Sequence, residues 1–303
     1  PYVEELGGTQ NALSLLRQIM DHGTMYDKHD LSVAKQLTDC MFLSAMNPTQ
    51  GSFTINERVQ RQFVTLNCAM PTQSEMRTMF GQIISGHMET QNFDHSMTQI
   101  APKLVEASIA LHDKISSTFL PSSTRYVYNW NVREISSVFE GLVKSRSDTT
   151  RTPDSLVRLW AHESNRVYGD RLLESDISKF SSVIQFVSKK YFDTAENFSE
   201  DIVANIKFSS CHTQPDEKTG ENPYEEVKDE KMYTNLIREY EAARSESNPS
   251  MRLVLFKQAV DHVSRITRII STPGGSAMLV GVGGSGKQSL TRLAACILGY
   301  RVV

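Results

Sequence analysis

The stretch "LVGVGGSGKQSLTRL", residues 279–293, carries the residue types and spacing best suited to chemistry. Gly281, Gly286 and Lys287 make the pattern Gly-x4-Gly-Lys, with Gly283, Gly284 and Ser285 inside the interval. Glycines at these places allow a tight turn whose backbone N–H groups face an anion. The lysine adds a point charge for the outer phosphates of a nucleotide. Apolar Leu290, Leu293, Ala294 and Ile297 follow at helical spacing, with Gly299 as a stop. A helix starting at the loop would add its N-terminal dipole to phosphate binding. The apolar run at 277–280 predicts a buried strand leading in. One position departs from the pattern. Gln288 stands where Ser or Thr would hold Mg²⁺, and Ser289 comes one place later. Binding of ATP or ADP with weak Mg²⁺ is the expectation, and a glycine-rich turn without ligand is the alternative.

Other candidates are less self-sufficient. "DCMFLSAMN" at 39–47 predicts a buried strand ending in Asn47, whose amide could orient a water; a turn-capping Asn before Pro48 is the alternative. Arg58 and Arg61 lie in "NERVQRQF", just before a second predicted strand at 64–70. His162-Glu163 invites a zinc reading, but HExxH needs a histidine at 166, where Arg166 stands. Arg166, Asp170 and Arg171 read instead as salt-bridge formers. Cys40, Cys68, Cys211 and Cys296 are scattered without CxxC spacing, and read as reduced, mostly buried thiols. No metal site is assigned.

The elements that must position these residues are mostly helical. Residues 10–21 make a one-sided helix, and 71–195 read as a set of helices: one with Ile100, Leu104, Leu111 and Ile115 on a face, then "VREISSVFEGLV", a helix opened by Pro153 and Asp154, and "DISKFSSVIQFVSKKYF". "TQPDEKTGENPYEEVKDEK" is rich in charge and turn formers and predicts an exposed linker. "MYTNLIREYEAA" is a short helix beyond it, and Leu253, Phe256, Val260, Val263 and Ile270 mark another, ended by "STPGG". The 303 residues are 39% hydrophobic and 22% charged with net charge −3, which suits about two domains. That balance argues against nucleic acid or membrane as a general electrostatic partner. No apolar run approaches the roughly 20 residues of a membrane span.

Three stretches together resemble the dynein heavy chain. "LSAMNPTQGSFTINERVQRQF" resembles the third AAA+ module of its motor ring, "LVRLWAHESNRVYGDRL" that module's small domain, and "GVGGSGKQSLTRLAA" the phosphate loop of the fourth. The resemblance implies an α/β chain of partial AAA+ P-loop modules, mostly helical. Residues 1–70 would be the C-terminal part of a large subdomain, 71–195 a helical lid, 196–250 an inter-module linker, and 251–303 the start of the next module. Pro1 resembles the proline after the family's Walker B acids, so this fragment alone is expected to be inactive as an ATPase. The resemblance gives Asn47 the sensor-1 position, Arg133 the sensor-2 position reaching γ-phosphate from the lid, and Arg61, before Arg58, the finger serving the preceding module. It implies ATP-driven, minus-end-directed microtubule movement in the whole protein. Partners would be the remaining modules, microtubules, and dynein intermediate and light chains. "GKQSL" resembles the axonemal form, which implies cilia and flagella. A regulatory or structural nucleotide-binding segment without turnover is the competing reading.

Overall fold

Thr72 starts the first long helix of the chain. Its hydroxyl accepts from the Glu75 N–H while the Glu75 carboxylate accepts from the Thr72 N–H, a reciprocal cap that satisfies two otherwise orphaned donors. The computed structural model describes residues 10–27, 29–46, 56–192, 206–213, 222–247 and 254–302, with side chains of 244–247 excepted. The chain divides into two units, 1–70 and 71–303.

In the larger unit, helices α3 (Gln73–Thr90), α4 (His95–Thr98), α5 (Ala101–Thr118), α6 (Val132–Leu142), α7 (Pro153–Tyr168) and α8 (Glu174–Tyr191) surround one apolar core. Asn131 and Thr152 cap α6 and α7 by the same reciprocal device, and Pro153 sits where its missing N–H costs nothing. Leu104, Ile115, Ile135, Leu142, Trp160 and Ile184 are wholly buried, each worth about 1.5–3 kcal/mol of transfer free energy. Phe80 and Phe139 stack at 4.7 Å between centroids. The two tryptophans satisfy their indole N–H groups inside the core: Trp160 donates to the Ser108 hydroxyl at 2.9 Å and Trp130 to the Phe119 carbonyl at 2.8 Å.

A second core follows in the chain. The two-residue strands β3 (Phe208–Ser209) and β4 (Glu225–Glu226) pair antiparallel. Helices α9 (Glu230–Ser247), α10 (Lys257–Ile270) and α11 (Lys287–Ile297) then pack through Ile237, Val260, Val263, Ile266 and Leu293. The predicted exposed linker is corrected here. Tyr224, inside it, is buried in the first core beside Phe208, because its ring packs on that aromatic and its hydroxyl is satisfied by Glu163 and His162 of α7. The helix read from Leu253 begins only at Lys257, with Phe256 exposed before it.

The smaller unit holds helix α1 (Asn11–His22), closed by Gly23 at φ +64°, the short strands β1 (Thr24–Tyr26) and β2 (Ala34–Gln36), and helix α2 (Glu57–Gln60). β1 and β2 pair antiparallel with Met25 opposite Lys35. The strands predicted at 39–47, as far as its described residues 39–46, and at 64–70 are not formed, and neither is the one at 277–280. Met41, Leu43, Val64, Met278 and Val280 are strongly exposed. An apolar run becomes a strand only where a neighbouring strand takes its N–H and C=O groups, and no such neighbour stands beside these runs among the described residues. The cysteine reading is also corrected. All four thiols are free, but only Cys211 is buried, while Cys40, Cys68 and Cys296 lie outside the two cores and are exposed. Among the described residues no helix is long and apolar enough to cross a membrane.

Candidate nucleotide site and the charged junction beside it

The glycine loop is built as its spacing predicts. Gly284 and Gly286 take φ of +78° and +77°, backbone that side-chain-bearing residues rarely adopt, and Gly286 is the N-cap of α11. No side chain caps that helix. Its first-turn N–H groups, which lack intrahelical acceptors, therefore point out of the helix at the loop. Lys287 folds back over the turn: its ammonium donates to the carbonyls of Gly281 at 2.6 Å and Val282 at 2.7 Å and to the Ser285 hydroxyl at 3.1 Å. The ammonium spends its three N–H donors on these loop acceptors and would have to leave them to meet a phosphate; the uncapped helix start beneath it supplies the backbone donors that suit a polyphosphate. Gln288 is exposed and Ser289 half-buried one residue on, about 100° further around the helix.

The remaining candidates are dispersed. Asn47 lies outside the described residues. Arg133 is exposed near the start of α6, and the neighbouring Glu134 is taken by Arg171 at 2.7 Å and by the Asn131 N–H. Arg61 ends α2 with a 67% exposed side chain, its guanidinium 3.9 Å from the Asp21 carboxylate. Arg58 lies within α2, also exposed, its N–H held by Asn56. His162 is not a metal ligand in waiting. Its ring nitrogens lie 3.0 Å from the Ile206 carbonyl and 3.0 Å from the Tyr224 hydroxyl, which fixes the imidazole between α7 and the strand pair. Burial holds the His162 imidazole below the usual histidine range.

Arg166, Asp170 and Arg171 form salt bridges as the sequence predicts, to Glu163, Arg265 and Glu134 in turn; what the sequence did not name is the set of distant partners that makes a charged junction between the lid helices and α10. Glu163, on α7 and wholly buried, accepts from Arg166 at 2.8 Å, from Arg268 at 3.2 Å and from the Tyr224 hydroxyl at 2.8 Å. Burial alone would raise its pKa, but the two guanidiniums reverse the sign and hold the carboxyl at about 2. Arg268 also lies over the Tyr224 ring, 5.2 Å from its centroid, and donates to the Thr272 hydroxyl at 2.7 Å. Lys144, just past α6, donates to the same hydroxyl at 3.0 Å. Burial, with Arg268 nearby, pushes the Lys144 ammonium down to about 8. Further along α10, Arg265 meets Asp170 at 3.0 Å and Asp261 meets Lys207 at 2.5 Å.

The spacing explains the arrangement. Asp261, Arg265 and Arg268 recur every three or four residues, one stripe of a helix that Thr272 extends just past its end, while Ala259, Val260, Val263 and Ile266 fill the apolar stripe beside it. Each polar member of the stripe meets a residue from the preceding lid or its connection. The i, i+3 spacing of Glu163 and Arg166 was the local signal available; Arg268 lies 105 residues further on and left none.

Comparisons with known proteins agree with the loop and the lid. Residues 104–202 match the model of the AAA+ lid domain, 251–303 that of the P-loop containing dynein motor region D4, and 1–71 that of the P-loop containing dynein motor region. The chain is 40% identical over 296 residues to dynein axonemal heavy chain 17 of Homo sapiens, covering 97% of this chain. It is 40% identical over 301 residues to the dynein beta chain of the flagellar outer arm of Chlamydomonas reinhardtii, and 38% over 296 residues to the ciliary dynein beta chain of Tripneustes gratilla, again over 97% of this chain each. It spans about 6% of the length of these relatives. A P-loop motor region implies binding of a nucleotide, ATP or ADP, alongside other modules of the motor. With an AAA+ lid between two P-loop motor-region stretches, and heavy-chain relatives aligned along nearly its whole length, the chain belongs to the dynein heavy-chain family, as a segment of the motor region.

Proposed function

We propose that this segment serves an ATP-driven, minus-end-directed microtubule motor of the ciliary or flagellar axoneme, contributing one phosphate loop and several arginine elements to its ring. The observation that carries the reading is the uncapped start of α11 beneath a loop whose Gly284 and Gly286 have positive φ and whose lysine is already turned inward. In this reading Lys287 and the amides from Gly283 to Lys287 hold the phosphates, with Gly281 closing the turn and Gln288 and Ser289 opening the helix. ATP, when bound, supplies the phosphoryl group whose transfer to water powers movement. Asn47 orients a water at the third-module site, Arg133 reaches that site from the lid, and Arg61 reaches the preceding module's site across a boundary. Mg²⁺ is held weakly at this loop, because Gln288 offers an amide oxygen on a long stem where a short hydroxyl would fit an octahedral shell. Residues 1–70, 71–195, 196–250 and 251–303 act as large-subdomain part, lid, connection and next module. Microtubules and the intermediate and light chains are the partners of the whole motor.

A second reading is favoured by Gln288: the loop is occupied for stiffness and regulation rather than turnover. Lys287→Ala in an intact heavy-chain motor separates the two. Loss of most hydrolysis supports turnover at this loop, while lost regulation with basal hydrolysis retained supports occupancy. Unchanged nucleotide occupancy would overturn both.

A further inference from the structure

The stretch between α10 and the phosphate loop has few anchors of its own. Residues 276–283 lie outside any helix or strand, Met278, Val280 and Val282 are exposed, and Leu279 alone packs against the second core. At its start the chain turns tightly over the end of α10. The Gly275 N–H donates to the Thr272 carbonyl at 2.9 Å, Gly274 takes φ +72°, and a side chain at Gly275 would overlap the Ile269 carbonyl. Thr272 is the residue at which this turn is tied down. Its hydroxyl accepts from Arg268 on the preceding helix and from Lys144 on the lid, and donates to the Arg268 carbonyl at 3.2 Å. Arg268 is in turn aimed by Glu163 of α7. The lid therefore reaches one hydroxyl directly through Lys144 and indirectly through Glu163 and Arg268, immediately before the segment that carries the loop.

We propose that Thr272 is a positioning residue through which the lid, by Lys144 and by Glu163 acting on Arg268, sets the phosphate-binding competence of the 281–289 loop. The part of this that concerns affinity rests on the nucleotide reading above; the part that concerns loop order does not. A loop anchored at only one end, by α11, samples many conformations, and each non-binding one reduces apparent affinity by the fraction of time it is occupied. Fixing the other end at Thr272 removes part of that loss. Lys144→Met and Thr272→Val keep volume; the first deletes the Lys144–Thr272 hydrogen bond, and the second deletes that bond together with the Arg268 contacts of the same hydroxyl, so adding Lys144→Met to Thr272→Val should cost nothing further.

The test uses the whole heavy-chain motor, with two readouts: deuterium exchange of peptides covering 276–289, and affinity for ADP, taken as the part removed by Lys287→Ala. Thr272→Val and Lys144→Met should each speed exchange across 276–289 and weaken ADP binding by about tenfold, the scale of one lost charge-assisted hydrogen bond. The double variant should match Thr272→Val, and Thr272→Ser, which keeps the hydroxyl, should restore wild-type behaviour in both readouts. Unchanged exchange in Thr272→Val, or an equal defect in Thr272→Ser, overturns the proposal. If Lys287→Ala leaves ADP affinity unaltered, it is the nucleotide reading that fails, and exchange alone then decides whether Thr272 positions the loop.

Discussion

Replacing Glu163 with Gln should destabilise residues 71–303 by about 3 kcal/mol. The side chain keeps its shape, yet the negative charge that compensates two guanidiniums is gone. Arg268 is only 7% exposed and Arg166 18%, so neither can recover hydration without moving. The Glu163 carboxyl is held at about 2 against an ordinary 4.5. At about 1.36 kcal/mol for each tenfold change in proton affinity, this difference corresponds to about 3 kcal/mol favouring the ionised, folded form at neutral pH. Loss of one partner from a buried charge pair independently costs about 3–5 kcal/mol. For a unit of this size each kcal/mol lowers the melting temperature by roughly 2–4 °C, so the expected fall is roughly 6–12 °C. Thermal unfolding followed by the far-ultraviolet helix signal measures it directly. A fall of less than about 2 °C at pH 7 would show that the guanidiniums are solvated in solution and that the junction contributes little.

The same residue predicts a pH dependence. Its depressed folded pKa contributes stability that is full above about 4.5 and is lost as pH falls toward about 2, so melting curves of wild type and Glu163→Gln should converge across that window. Gly141→Ala should destabilise by about 1–3 kcal/mol despite the better helix propensity of Ala, because the added methyl overlaps the Glu163 carboxyl; Gly81→Ala and Gly86→Ala, with open space around them on α3, should stabilise by about 0.5–1 kcal/mol. Gln288→Thr in an intact motor should tighten Mg-nucleotide binding at this loop, and an unchanged Mg²⁺ dependence in a titration would remove the basis for the occupancy reading. In the same motor, Arg133→Ala should blunt the response to nucleotide at the third site and Arg61→Ala should slow turnover at the second; if Arg58→Ala slows it instead, the finger assignment moves to Arg58.

Where a pattern is local, the amino-acid sequence alone determined the outcome. The caps at Thr72, Asn131 and Thr152 and the apolar stripes of α5 through α8 place the lid helices, since a helix closes its hydrogen bonds within itself and needs only one apolar face to pack. The loop at 281–289 is equally local, because glycine's conformational freedom and a helix start make it without help from distant residues. Strands are another matter. The runs at 39–46, 64–70 and 277–280 have strand-like composition, but half of every strand's hydrogen bonding belongs to a partner, and a run without one stays irregular. In the charged junction, the salt-bridging of Arg166 and Asp170 was legible in the sequence, but the partners on α10 were decided by tertiary structure. Glu163 and Arg268 are 105 residues apart, and nothing in either neighbourhood announces the other. Only the packing of α10 against the lid puts Asp261, Arg265, Arg268 and Thr272 opposite groups of matching charge. Burial then turns what would be a weak surface pair into one whose loss the fold should register, because a charge removed from water must find its compensation within the protein.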